Sequence, residues 1–379
     1  SLLRPTVTWK PLLPFARTGG RLPDNKGIAW YSPGWGTTTE HVIGAWQIYQ
    51  HTGDVDFLHD CYDDYFRVLF QDGMLSHWGC HYDAAEHLRE MALLTGDRED
   101  PSRWPRLVRA DQRDDWLNDM WEKHQPDFFG GSEEKLDWSY FAYLRNSYFP
   151  EDWAHRMTAR WAMDPQTGFF WKIPLSTAAL ADYDQISDVF ASTPDTNYYA
   201  ILGMYNCNVG RSANRIALAH LKKYNMHWGI PIAPEAWSKH PAPWGDQYSN
   251  FNAGKILLIL EGVAGLDYSI PQSTLTVRDC MPEDWSSMDV RIPMTADGKT
   301  YWPRVLYQRN ERDGLVQKTI SVSGSPLARM EIQPWLEEGT VHTAPAGYVT
   351  ENQGRGRIGW SLEGESDASV TVEIKKKRQ

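Results

Sequence analysis

Apolar positions recur at helical spacing over residues 40–51, where Val42, Trp46 and Tyr49 fall on one face and the run stops at Thr52-Gly-Asp54. A second helical pattern over about 55–70 carries Phe57, Leu58, Cys61, Tyr65, Leu69 and Phe70. A third, from about Tyr82 to Leu94, ends in Thr95-Gly-Asp97, a second copy of the same turn forty-three residues after the first. Two helices per repeat at that period predict an array of α-hairpins, open as a solenoid or closed as a toroid. Helical patterns continue at about 112–124, 135–147, 150–162, 195–206, 209–224 and 250–264, giving nine or ten helices before residue 270. Between them, Phe169-Phe-Trp-Lys-Ile-Pro174 and the stretch to Thr193 read as a long inserted loop or hairpin, a kind of segment that tends to be functional.

The ends of the chain have different textures. Residues 1–36 form a lead-in rich in aromatics, Pro and Gly, without periodicity. Thr37-Thr-Thr-Glu40 then has the form of a capping box opening the first helix. Helical spacing gives way after Tyr268 to period-two alternation. It runs through Ser273–Arg278, Met288–Pro293, Val305–Arg309, Leu315–Val322 and Ala368–Ile374, with turn residues at Asp297-Gly, Asp313-Gly and Ser323-Gly. Short strands so spaced predict an antiparallel β-sandwich. The expected layout is a mainly α chain: lead-in 1–36, an α-hairpin toroid over 37–270, and a sandwich over 271–379. One stretch stands out within it, Trp244-Gly-Asp-Gln-Tyr-Ser-Asn-Phe-Asn-Ala-Gly-Lys255, which feeds the apolar run Ile256–Gly265. A helix that apolar is normally buried, which would put the polar segment before it at the rim of a core element, where ligands gather.

Composition narrows the chemistry. The chain has 379 residues with 41% apolar content, enough for one large domain and a smaller one. Nineteen Trp and 18 Tyr are far above ordinary usage. Such rings fill helix interfaces, and they also stack on the C–H faces of pyranoses, so a carbohydrate partner is expected. A formal net charge of −11 argues against nucleic acid, whose binding depends on phosphate neutralisation. The closing Lys375-Lys-Lys-Arg378 reads as a solvated tail, and no apolar run is long enough for a membrane span. The first residues show neither a signal peptide nor an initiator Met, as a processed or truncated start would. Cys61, Cys80, Cys207 and Cys280 share no metal-type spacing, although one pair has room to bridge, and there is no Asn-x-Ser/Thr site. Neither a metal nor another cofactor is expected. The compartment stays open, secretion and a periplasm included.

Four stretches resemble a known superfamily. Trp46-Gln-Ile-Tyr-Gln-His-Thr-Gly-Asp-Val-Asp-Phe-Leu58 is similar to a recurring toroid helix and turn, and Trp116-Leu-Asn-Asp-Met-Trp-Glu with Asp127-Phe-Phe to a helix and β-turn. Asp246-Gln-Tyr-Ser-Asn-Phe-Asn-Ala-Gly resembles the segment that holds the catalytic base before the last barrel helix. Thr276-Val with Met281-Pro-Glu-Asp-Trp285 resembles the entry into a sandwich. The superfamily is that of the six-hairpin glycosidases, (α/α)6 toroids joined to β-sandwiches, which includes trehalases, processing α-glucosidases, α-L-rhamnosidases and maltose-type phosphorylases. The resemblance spans about 40–290 and singles out no one family. It implies a glycoside hydrolase with Asp246 as catalytic base, although the usual base there is Glu, and Glu235 is a rival eleven residues earlier. The trehalase general-acid motif has no counterpart here. With nine or ten helices instead of twelve, the missing hairpins, and the acid with them, would lie on a preceding region or a second chain.

Glycoside hydrolysis by inversion needs one protonated carboxyl for the leaving oxygen and one carboxylate to activate water, about 6.5–9.5 Å apart. Asp246 suits the base and equally suits a first-turn cap of the helix that follows. Glu40 is the candidate acid, and the capping box is the stronger account of it. Asp137 with Trp138, Asn197 and Tyr199 beside Asp195, and Tyr248 beside Asp246 pair polar groups with aromatics as sugar-binding sets do, though such Asp residues are more often N-caps. Trp30, Tyr31, Trp35, Trp228 and Trp244 lie in Gly- or Pro-rich loops, where core packing explains them less well. Asp83 and Glu86, three apart with His81 and His87 nearby, make a poor zinc set without a third cluster. Phosphate-loop, esterase and thiol-nucleophile motifs are absent from the sequence. The alternatives to a hydrolase are a polysaccharide lyase on a similar toroid, with Tyr or His as base, and a non-catalytic glycan-binding or structural subunit.

Overall fold

The structure, a computed structural model, describes residues 37–67, 70, 79–129, 144, 146–161, 169–170, 173–174, 201–207, 213–214, 217–218, 234–237, 243–247, 256–312, 315–333, 349–352 and 358–375. The chain divides into two compact units. One comprises residues 1–122 with 269–272 and 295–299; the other takes the remainder.

The first unit contains α1 (Thr37–Thr52), α2 (Val55–Cys61), α3 (His81–Thr95) and α4 (Arg103–Leu107), and α5 (Arg113–Phe129) begins in it. The apolar face read from the sequence is the buried one: Val42 and Tyr49 of α1 join Phe57, Leu58 and Cys61 of α2 and Leu88 and Met91 of α3 in one core. The chain continues from α2 through a π-helical turn, Tyr62–Phe66, whose Tyr62 and Phe66 are fully buried. The short helix α4 had no counterpart in the sequence pattern. Its Trp104 is 3% exposed and completes the core.

Both Thr-Gly-Asp turns fold alike. The hydroxyls of Thr52 and Thr95 donate to the carbonyls of Ile48 at 2.8 Å and Met91 at 2.9 Å. Gly53 and Gly96 follow in the left-handed region, at φ 66° and 70°, and donate their N–H groups to the carbonyls of Tyr49 and Ala92. Left-handed glycine closes a helix without a Cβ clash, which is why the motif repeats. The two aspartates then diverge. Asp54 caps α2 by accepting the Phe57 N–H at 2.9 Å, whereas Asp97 turns inward to Tyr62 at 2.6 Å. Residues 269–272 dock on the end of α1, where Ile270 N–H donates to the Gln50 carbonyl at 2.7 Å.

In the second unit, α6 (Glu151–Trp161) precedes the hairpin β1 (Phe169–Phe170) and β2 (Ile173–Pro174), at the start of the stretch expected to be a long loop or hairpin. The stretch from 175 to Thr193 lies outside the described residues, as does most of the expected helix 135–147. A second hairpin, β3 (Pro234–Trp237) with β4 (Pro243–Gln247), follows. The apolar run was expected to be a buried helix, and this needs correction. It turns into a π-helix at Leu258–Val263, burying Leu258, Gly262 and Val263 while leaving Ile256, Leu257 and Ile259 at 53%, 37% and 43% exposure. Among the described residues its buried stripe packs closely: a Cβ on Gly262 would fall 2.8 Å from the Tyr205 ring. The segments outside the description include those on which a closed toroid depends, and the helices above do not by themselves form one.

The C-terminal region is built on two sheets. The first comprises β7 (Ser287–Arg291), β10 (Arg304–Arg312), β11 (Leu315–Ser323) and β15 (Ala368–Lys375), all antiparallel, in the order β15-β11-β10-β7. The second comprises β5 (Leu266–Ser269), β6 (Thr274–Arg278), β12 (Arg329–Gln333), β13 (Val349–Asn352) and β14 (Ile358–Glu363), in the order β13-β14-β12-β6-β5. This sheet corrects the expectation of wholly antiparallel pairing, because β12 runs parallel to β6. Connectivity allows it: the chain leaves β6, builds β7, β10 and β11 in the other sheet, and returns by the long crossover that a parallel neighbour requires. The hairpin β8 (Met294–Ala296) and β9 (Lys299–Tyr301) turns at Asp297-Gly298, both at positive φ, as a tight two-residue loop requires.

Alternation sorts the four-stranded sheet into two faces. Val305, Tyr307, Val316, Ile320, Val322 and Val370 are buried. Lys318 joins them because its Nζ donates to Asp279, just past β6, at 2.8 Å, linking the two sheets by a buried ion pair. The other face carries hydroxyl pairs: Thr319 with Thr371 and Ser321 with Ser369, each at 3.0 Å. Where π-helix passes into β5, Gly265 sits at φ 65°, and a Cβ there would lie 2.4 Å from the Arg278 carbonyl oxygen. Gly265→Ala is therefore expected to lower stability by about 2 kcal/mol or more, read as a drop in the urea midpoint at unchanged slope.

All four cysteines are buried thiols, so the bridge allowed by the sequence is not formed.

Candidate active site

The sequence-derived candidates fall into three groups. Glu40 lies in the first turn of α1. Glu235 lies in β3, and Trp244 and Asp246 lie in β4. Trp30, Tyr31, Trp35, Asp137, Trp138, Asn197, Tyr199, Trp228 and Tyr248 lie outside the described residues.

The backbone of the β3–β4 hairpin brings two of these candidates together. Pro234 pairs with Gln247, Ala236 with Trp244 and Trp237 with Pro243, and the register shifts between the first two pairs. One residue of β3, Glu235, thus stands against two of β4, Gly245 and Asp246. That two-against-one count is a β-bulge, a feature over-represented next to active sites because it re-aims a side chain and sharpens the local twist. The strand placement also differs from the expected loop: Asp246 belongs to a paired strand rather than to the entry of the apolar helix. The sequence named both carboxylates as rivals for one role, yet nothing in their spacing of eleven residues signalled a hairpin. Pro234 and Pro243, each opening a strand, were the available cue.

Elsewhere the titratable groups are shaped by packing. In the first unit the Tyr62 hydroxyl donates to Asp97 Oδ2 at 2.6 Å and accepts from Arg103 Nη2 at 2.9 Å and from Trp104 Nε1 at 3.0 Å. Arg103 also donates to Asp97 at 2.6 Å and lies 4.8 Å from the Trp104 ring centre. Burial alone would raise the Asp97 carboxyl, but bonds from Tyr62, the Glu99 N–H and Arg103 outweigh it and bring the group down to about 2. Burial lowers His81 to about 4. It also lowers His87, against the opposing pull of Asp83 and Glu86, and that ring stacks on Trp46 at 5.3 Å. These groups are held by burial and by bonds to one another, as core residues are. Among the described residues no group of three metal-capable side chains comes together, and no helix is long and apolar enough to cross a membrane.

No family model matches the chain, and no curated protein matches its sequence. Among solved structures it is similar to the α-L-rhamnosidase of Streptomyces avermitilis, determined in complex with L-rhamnose, at 15% identity and a TM-score of 0.47. That likeness covers 89% of this chain and 33% of the other, so the chain spans a third of the length of the enzyme it resembles. A likeness of this degree fixes neither fold nor activity.

Proposed function

We propose that the chain is, or is part of, a glycoside hydrolase in which Asp246 is the catalytic base and Glu235 the second carboxyl. The bulge that sets Glu235 against Gly245-Asp246 is the observation that carries this reading. Neighbouring positions across antiparallel strands have Cβ atoms about 5 Å apart, and side chains that diverge from there can reach the wider carboxyl spacing that inversion needs. Trp237 and Trp244 occupy the same hairpin, and indoles are the rings that stack best on pyranoses. The sequence resemblance to six-hairpin glycosidases and the wealth of Trp support the same reaction class. Glu40, the acid candidate read from the sequence, belongs to the other compact unit.

The reaction needs no cofactor: one carboxyl protonates the departing oxygen while the other takes a proton from the attacking water. Inversion is the expected outcome. Proton NMR of the first-formed product, released from a panel of oligosaccharides, reads the anomer directly. A retained configuration would recast Asp246 as a nucleophile, and a chain that binds glycans yet releases no sugar would exclude hydrolysis.

A further inference from the structure

The outward face of the four-stranded sheet carries a feature that the proposed hydrolytic site does not use. Trp302 is 61% exposed, more than any other large ring side chain among the described residues. Its direction follows from the strand. The Pro303 carbonyl accepts the Ile292 N–H at 3.2 Å, which extends the β7–β10 ladder by one pair. Pro303 and Val305 point into the core, so Trp302 shares the outward face with Arg304. An indole so exposed, just ahead of β10, contributes little to the core and offers a flat apolar face on which a ligand can stack.

The groups beside it have a definite charge. Arg304 grips Asp289 with both ends of its fork, Nε to Oδ1 at 2.9 Å and Nη2 to Oδ2 at 2.7 Å. Arg291 is the direct cross-strand partner of Arg304, and its charge adds to the Arg304 bonds that hold the Asp289 carboxyl low. Two guanidiniums thus face one carboxylate, leaving this corner positive in a chain of formal net charge −11. Farther along the same face lie the two hydroxyl pairs described above, a flat polar surface without charge.

We propose that this corner is a carbohydrate-binding site, built on elements other than the β3–β4 hairpin, for an oligosaccharide that carries carboxylates. Trp302 stacks on the apolar face of one pyranose ring, Arg291 pairs with the uronate carboxylate, and the bidentate Arg304–Asp289 pair holds the guanidinium beside it. The hydroxyl rows meet the sugar hydroxyls that follow. Local positive charge in an acidic chain is what selects an acidic glycan over a neutral one.

The site does not depend on hydrolysis, so the test is run on the full chain carrying Asp246→Asn. Isothermal titration calorimetry compares a galacturonate tetramer with its fully methyl-esterified form. The acid tetramer is expected to bind, and the ester to bind about tenfold more weakly or less. Trp302→Ala and Arg291→Gln are each expected to weaken binding of the acid form by about tenfold, with an unchanged far-ultraviolet CD spectrum because both side chains are exposed. Equal affinity for the ester, binding unaltered by either substitution, or no binding to the acid form would each overturn the proposal. Loss of hydrolysis without loss of this binding would bear on Asp246 alone.

Discussion

Asp246→Asn is expected to lower kcat for glycan hydrolysis by at least about 10³-fold, with glycan binding kept. The substitution preserves shape and removes only the capacity to take a proton. A first-turn capping residue would behave otherwise: Asn is as good a cap as Asp, so the variant would then be nearly silent. The experiment thus separates the two roles that the sequence left open for this residue. Glu235→Gln is expected to match it in size, because an acid and a base acting on one bond are not additive. If Glu235→Gln is silent while Asp246→Asn is not, the acid is another residue and the bulge is structural. The pH profile of kcat/KM carries a second check, since two working carboxyls give a bell whose limbs vanish singly in the two variants.

The second large effect is on stability. Asp97→Ala is expected to cost about 3 kcal/mol, against about 1 kcal/mol for Asp54→Ala, although both residues end the same Thr-Gly-Asp turn. Asp54 loses one capping bond to a backbone N–H. Removing Asp97 strands the buried Tyr62 hydroxyl and takes a partner from Arg103, whose side chain is only 22% exposed. Urea unfolding of the pair of variants reads the contrast, and equal costs would contradict the arrangement. The pH dependence has a definite sign. Asp97 titrates near 2 when folded and at its ordinary 3.8 when unfolded, so its contribution, about 2 kcal/mol, is complete above 3.8 and is lost as pH falls towards 2. His81, held down to about 4 by burial from an ordinary 6.5, adds an earlier loss as pH falls from 6.5 towards 4. Loss of stability in the first unit should therefore begin well above the carboxylate range, and His81→Gln should reduce that early phase, leaving the part that buried His87 contributes.

Much of the local structure was legible in the residues. The Val42–Trp46–Tyr49 stripe, the two glycine stops and the period-two strands around Val305, Val316 and Val370 record which face meets a neighbour, and burial of that face is the main stabilising term. The apolar run at Ile256 misled, because hydrophobicity alone does not report which side is buried, here the one that meets the Tyr205 ring at Gly262. The missed helix α4 is five residues long, too short to show a period.

What the sequence determined by itself is what depends on near neighbours: helix ends, turn glycines and strand alternation. Only the tertiary structure decided what depends on pairing between distant segments. Pairing made β12 parallel to β6, turned Asp97 inward while Asp54 capped a helix, and stood Glu235 against Asp246 across a bulge. Those outcomes turn on register and connectivity, which alternation along a single strand cannot encode, because every strand of the same parity carries the same pattern.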